Sequence, residues 1–75
     1  MERNGSIQIV GPAEIGQLLR RKRKAQNLTL QEVSLHSGFS IRFISEVERG
    51  KPTAEIGKVL ELLQVVGVDV FVRPR

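Results

Sequence analysis

The sequence predicts a mainly α domain of four to five helices closed by a single C-terminal β-strand. Three observations carry this. Apolar residues recur at helical spacing in separate windows between residues 12 and 66. The windows end at Asn27, Gly38, Gly50 and Gly67, residue types suited to the left-handed position that closes a helix. The segment Val68 to Arg73 reads Val-Asp-Val-Phe-Val-Arg, β-branched and alternating.

Taken in order, Ser6 to Val10 alternates weakly enough to be extended, and Gly11-Pro12 punctuates the chain. Proline suits the first turn of a helix, where an amide hydrogen would have no partner. A first helix over about Pro12–Gln26 places Ile15, Leu18, Leu19 and the stem of Lys22 on one stripe, with cations in its last turns, where the helix dipole favours them. Thr29 and Glu32 have capping-box spacing ahead of a second helix, about Leu30–Ser37, that buries Leu30 or Leu28, Val33 and Ser37. Ser40 caps a third helix, about Ser40–Arg49, with Ile44 and Val47 inward and Phe43 beside them. Two short helices joined by Gly38-Phe39-Ser40 have the spacing of a helix-turn-helix. Pro52-Thr53 opens a fourth helix, about Ala54–Val66, whose apolar face is Ile56, Val59, Leu60, Leu62 and Leu63. The strand that follows has only the weak Ile7–Val10 segment as an internal partner, so pairing between two copies is expected, with Pro74 ending the ladder.

Composition narrows the function classes. A chain of 75 residues has room for one domain with a marginal core, which association with a second copy would support. With no Cys and one His, thiolate and zinc sites are excluded, and neither a metal nor a cofactor is expected. No segment is apolar enough to span a membrane, and the N-terminus lacks a signal-peptide pattern, so a cytoplasmic location is expected. The carboxylates are scattered, and no nucleophile–base constellation or phosphate-loop pattern is present, so the chain is not expected to be an enzyme. The net charge of +4 is uneven, because Arg20, Arg21, Lys22, Arg23 and Lys24 form an unbroken run suited either to a polyanion or to a solvated helix face.

Residues 15 to 66 resemble the Xre/Cro-type helix-turn-helix family. The resemblance lies in Ile15-Gly16, Leu19 and Arg23, then Leu28-Thr29-Leu30-Gln31-Glu32-Val33, then Gly38-Phe39-Ser40 and Ile44-Ser45-Glu46-Val47-Glu48-Arg49-Gly50-Lys51. The string from Gly50 to Leu60 and the terminal strand resemble HipB-type antitoxins in particular. The resemblance implies a lambda-repressor-like domain (12–67) with an N-terminal arm (1–11) and a C-terminal dimerisation strand and tail (68–75). It further implies a homodimeric repressor of a palindromic double-stranded operator, partnered by a HipA-like kinase toxin. A phage-type repressor or a restriction-modification controller without a toxin is the alternative.

In a helix-turn-helix the second helix enters the major groove with its N-terminal residues toward base edges. Here those are Ser40, Ile41, Arg42, Ser45 and Glu46. Arg42 can donate twice to guanine, or else contact phosphate; Glu46 can accept from cytosine, or else orient Arg42; Ile41 can pack on a thymine methyl. Thr29, Gln31, Lys51 and Arg20 are expected near phosphates. The family often carries a phosphate-touching Gln where this chain has Leu30, so no such role passes to Leu30. By resemblance, Arg23 and Glu48 form a structural ion pair, which removes Arg23 from the basic run. Val68, Val70, Phe71 and Val72 are the expected dimerisation residues.

Overall fold

The computed structural model describes residues 6–75 and contains four helices: α1 (Pro12–Ala25), α2 (Leu30–Ser37), α3 (Ile41–Glu48) and α4 (Ile56–Val65). The described part of the N-terminal arm, Ser6 to Val10, has no regular structure, and the expectation for residues 1–5 lies outside the described residues. α3 lies against both α1 and α2, and α4 packs on α2. Between them sits one core of Leu19, Val33, Ile44, Val47, Val59, Leu62, Leu63 and Val66, rimmed by partly buried Ile15, Leu28, Phe39 and Phe43.

The helix ends follow from residue types at the predicted breaks. Glu14 reaches back to accept from the amides of Val10 (3.0 Å) and Gly11 (2.6 Å), using a carboxylate at the positive end of α1. Asn27 takes the left-handed conformation (φ 58°). Its N–H donates to Lys24 O at 2.9 Å, and the Leu28 N–H donates to Arg23 O at 3.1 Å. This crossed pair is a Schellman closure. Gly50 and Gly67 close α3 and α4 in the same way, through Lys51 N–H to Glu46 O (3.1 Å) and Val68 N–H to Leu63 O (2.8 Å). Inside the helix-turn-helix, the Ser34 hydroxyl donates to Phe39 O at 2.6 Å, and the Phe39 and Phe43 rings meet at 5.4 Å.

Two features hold α1 to α3. Gly16 is buried where a Cβ would collide with the carbonyl oxygens of Val47 and Glu48, so only glycine permits this crossing. About two turns further along, Arg23 donates from Nε to Glu48 Oε2 at 2.6 Å and from Nη2 to Glu48 Oε1 at 3.0 Å, while Nη1 donates to Leu28 O at 2.9 Å. The side chains are only 9% and 6% exposed. The hydrogen bond from Glu48 raises the Arg23 pKa above its ordinary value against the opposing effect of burial, so the guanidinium stays charged.

Three expectations are corrected. First, α4 begins at Ile56 rather than Ala54. Pro52 sits second in a turn from Lys51 to Ala54, where its fixed φ is favourable, and the helix starts only after that turn. Second, Ile56 and Leu60 do not join the core but stay 64% and 40% exposed. The rest of the chain covers one face of α4, and that face is taken by Val59, Leu62, Leu63 and Val66. Third, no strand occurs among the described residues, and 68–75 has no regular structure. A strand is defined by its hydrogen-bonded neighbour, and a single copy supplies none. Val68 packs against its own core, whereas Val70, Phe71 and Val72 are exposed.

Replacing Glu48 by Ala leaves the Arg23 charge buried without its counter-ion. The expected loss is roughly 3 kcal/mol, a fall in melting temperature on the order of 10–20 °C for a domain of this size. A thermal melt that matches the wild type would show that the pair does not hold α1 to α3.

Candidate nucleic-acid interface

The outer face of α3 is set by its inner one. Ile44 and Val47 are buried, which turns Ile41, Arg42, Ser45, Glu46 and Arg49 toward the other side of the helix. Ser40 starts the helix, its hydroxyl accepting from the Phe43 N–H at 3.0 Å. Ile41 presents an apolar side chain to solvent (44% exposed). Beside it the Arg42 side chain is 88% exposed. Ser45 is one turn further on and accepts from Arg49 Nη1.

Glu46 is partly buried, with 21% of its side chain accessible. Its Oε2 lies 3.4 Å from Arg42 Nε and its Oε1 lies 3.3 Å from Lys51 Nζ. The Lys51 hydrogen bond is the main reason the Glu46 carboxyl is held below its ordinary range; burial opposes it, and the charges of Lys51 and Arg42 assist. Lys51 is in reach because the Schellman closure at Gly50 folds the chain back over the last turn of α3.

A second cationic surface lies beside the first. The end of α1, the start of α2 and the outer face of α3 enclose an open groove of about 570 Å³. Arg20 and Lys24 line it from α1, Thr29, Leu30 and Gln31 from the start of α2, and Ser45 and Arg49 from α3, with Arg23 and Glu48 also on its wall. Thr29 and Glu32 form the full capping box: the Thr29 hydroxyl accepts from the Glu32 N–H at 3.0 Å, and Glu32 Oε1 accepts from the Thr29 N–H at 2.8 Å. The box leaves the first-turn amides of Leu30 and Gln31 without intrahelical acceptors, at the positive end of a helix dipole. Such an end attracts a phosphate.

Of the residues singled out for phosphate contact, Arg20, Thr29 and Gln31 therefore share one groove, and Lys51 sits apart, against Glu46. Lys24 and Arg49 were not singled out, yet they complete the groove. Their signal is one turn of helical spacing, Arg20 to Lys24 and Ser45 to Arg49, which places each pair on one face. The exposed tail residues Val70, Phe71 and Val72 belong to neither surface. No group of His, Cys, Asp and Glu among the described residues has metal-site geometry, and no helix is long and apolar enough to cross a membrane.

Glu32 makes a pH-dependent prediction. Hydrogen bonds with the Thr29 backbone and then its hydroxyl hold the Glu32 carboxyl below its ordinary 4.5. A depressed carboxyl stabilises the fold fully above the ordinary value, and that stabilisation is lost as pH falls through the depressed one. Glu32→Gln is therefore expected to lower the melting temperature by a constant amount at neutral pH, and the difference should shrink below pH 4.5. Melts of both proteins across that range decide it; a gap that stays constant in acid would show that the charge of Glu32 is irrelevant to the cap.

Comparison with known sequences gives consistent relatives. A family described as a helix-turn-helix domain matches residues 14–75. An uncharacterized HTH-type transcriptional regulator of Sinorhizobium fredii (strain NBRC 101917 / NGR234), y4mF, is 51% identical over 59 residues, covering 79% of this chain and 78% of the relative. A second from the same organism, y4dJ, is 37% identical over 55 residues, covering 73% and 71%. A third, y4dL, is 30% identical over 61 residues but only 31% of its own length is matched.

Proposed function

The chain belongs to the helix-turn-helix family in its Xre-like form, and from that premise we propose that it is a sequence-specific DNA-binding repressor acting as a homodimer. The observation that carries the reading is the start of α3, where Ile41 and Arg42 stand exposed at the entry of the second helix of the motif. An exposed branched apolar side chain next to a largely exposed guanidinium suits a major-groove edge, where a thymine methyl and the guanine acceptors are presented. Ser40 and Ser45 complete the base-facing set, and Glu46 lies beside Arg42. Thr29, Gln31 and Arg20 around the α2 groove, and Lys51 beyond α3, serve the phosphates on either side. A cytoplasmic location belongs to the same reading, because the regulator works where its operator is.

Dimerisation through the tail rests on Val70, Phe71 and Val72, with Val68 as the anchor that ties the tail to the core. Two such tails pairing edge to edge would supply the ladder that one copy lacks, and would place two recognition helices on half-sites about 34–36 Å apart. The finer assignment is an antitoxin that represses its own operon and binds a HipA-like kinase toxin. Its support is the resemblance of the Gly50–Leu60 string and the tail to HipB-type proteins. A kinase-like gene beside this one, and co-purification of its product with the tagged chain, are the expected outcomes. An integrase or methyltransferase neighbour would favour the toxin-free alternative.

Arg42→Ala is expected to cost about 1–3 kcal/mol on the selected operator and little on random duplex. An equal loss on both, measured by titration at one salt concentration, would make Arg42 a phosphate contact. Removing residues 70–75 keeps Val68, whose N–H closes α4, and is expected to yield monomers with weakened operator binding. A sedimenting dimer after that truncation would remove the tail from the interface.

A further inference from the structure

We infer that Glu46 is a positioning residue for specificity: it holds Arg42 in the orientation that reads guanine, and does not itself read a base. The inference rests on the DNA-binding reading above. The atoms in contact motivate it. The nearest approach of the two side chains is Glu46 Oε2 to Arg42 Nε, at 3.4 Å. The two terminal nitrogens of Arg42 are the pair that can donate side by side to guanine O6 and N7. With 88% of its side chain exposed, Arg42 has no other side-chain ion pair or hydrogen bond among the described residues.

Glu46 is itself held. Lys51 Nζ lies 3.3 Å from its other carboxylate oxygen, and the Lys51 backbone N–H donates to the Glu46 carbonyl at 3.1 Å. The carboxylate thus sits between two cations and is largely withdrawn from solvent (21% exposed), an arrangement that orients neighbours better than it offers a free acceptor to cytosine. The two cations also offset the repulsion a carboxylate would meet beside DNA phosphates. Helix stability does not account for the pair, because Arg preceding Glu by four residues is the weaker order relative to the helix dipole.

The test is a double-mutant cycle on the full chain. Duplexes are first selected from a random pool by the wild type, and each position of the enriched site is then varied. Glu46→Gln removes the charge while keeping shape, and a thermal melt that matches the wild type checks that the fold is preserved. Arg42→Ala and Glu46→Gln are expected to relax discrimination at the same base pair, each roughly tenfold. The double variant should be no worse than Arg42→Ala alone. Relaxation at a different base pair, additive with that of Arg42→Ala, would show that Glu46 reads a base and overturn the inference. Unchanged discrimination in Glu46→Gln would overturn it as well. Failure of the wild type to enrich any sequence would instead overturn the DNA-binding reading on which the inference stands.

Discussion

The Arg23 guanidinium is the contact on which the rest of the arrangement depends. It joins three parts of the chain at once: it projects from α1, accepts its counter-charge from Glu48 at the end of α3, and donates to the Leu28 carbonyl in the loop that leads into α2. A planar group with a fixed fork of donors holds those three elements in one geometry, which a lysine could not do. Gly16, about two turns earlier, lets the α1 backbone touch the last carbonyls of α3. Together they set how α3 lies across the molecule, and therefore where its outer face points.

That geometry also divides the charges. The run from Arg20 to Lys24 looks in sequence like one basic patch, but helical rotation sends its members different ways. Arg23 is turned inward and neutralised, while Arg20 and Lys24 face the groove beside the start of α2. The groove's remaining cation, Arg49, arrives from α3. The cationic surface is therefore assembled from two helices flanking the capping box of a third, and the base-facing residues lie next to it on α3. In the proposed reading, phosphate attraction and base reading fall to different side chains, a division that would let affinity and specificity vary separately.

Much of this was legible in the residues. The capping box at Thr29 and Glu32 and the left-handed closures at Asn27, Gly38, Gly50 and Gly67 depend on short-range chemistry, which sequence shows directly. The inward positions Val33, Ile44 and Val47 follow from period alone. The errors fall where apolar residues exceed what one copy can cover. Ile56 and Leu60 carry the same periodic signal as Val59 and Leu63, and nothing local distinguishes them. The tail alternates like a strand, yet its pairing partner is not a property of its own residues.

By itself, the sequence determined where the helices end and where α1, α2 and α3 begin, which residue types can face a groove, and that Arg23 and Glu48 are matched for pairing, because caps, periodicity and charge act over a few residues or through a recognisable pattern. Only the tertiary structure decided that Gly16 is the close crossing of α1 and α3, that Lys24 and Arg49 meet Arg20, and that Glu46 lies between Arg42 and Lys51. These depend on how helices distant in sequence cross and on how a turn folds back over the helix before it, and no local periodicity encodes either.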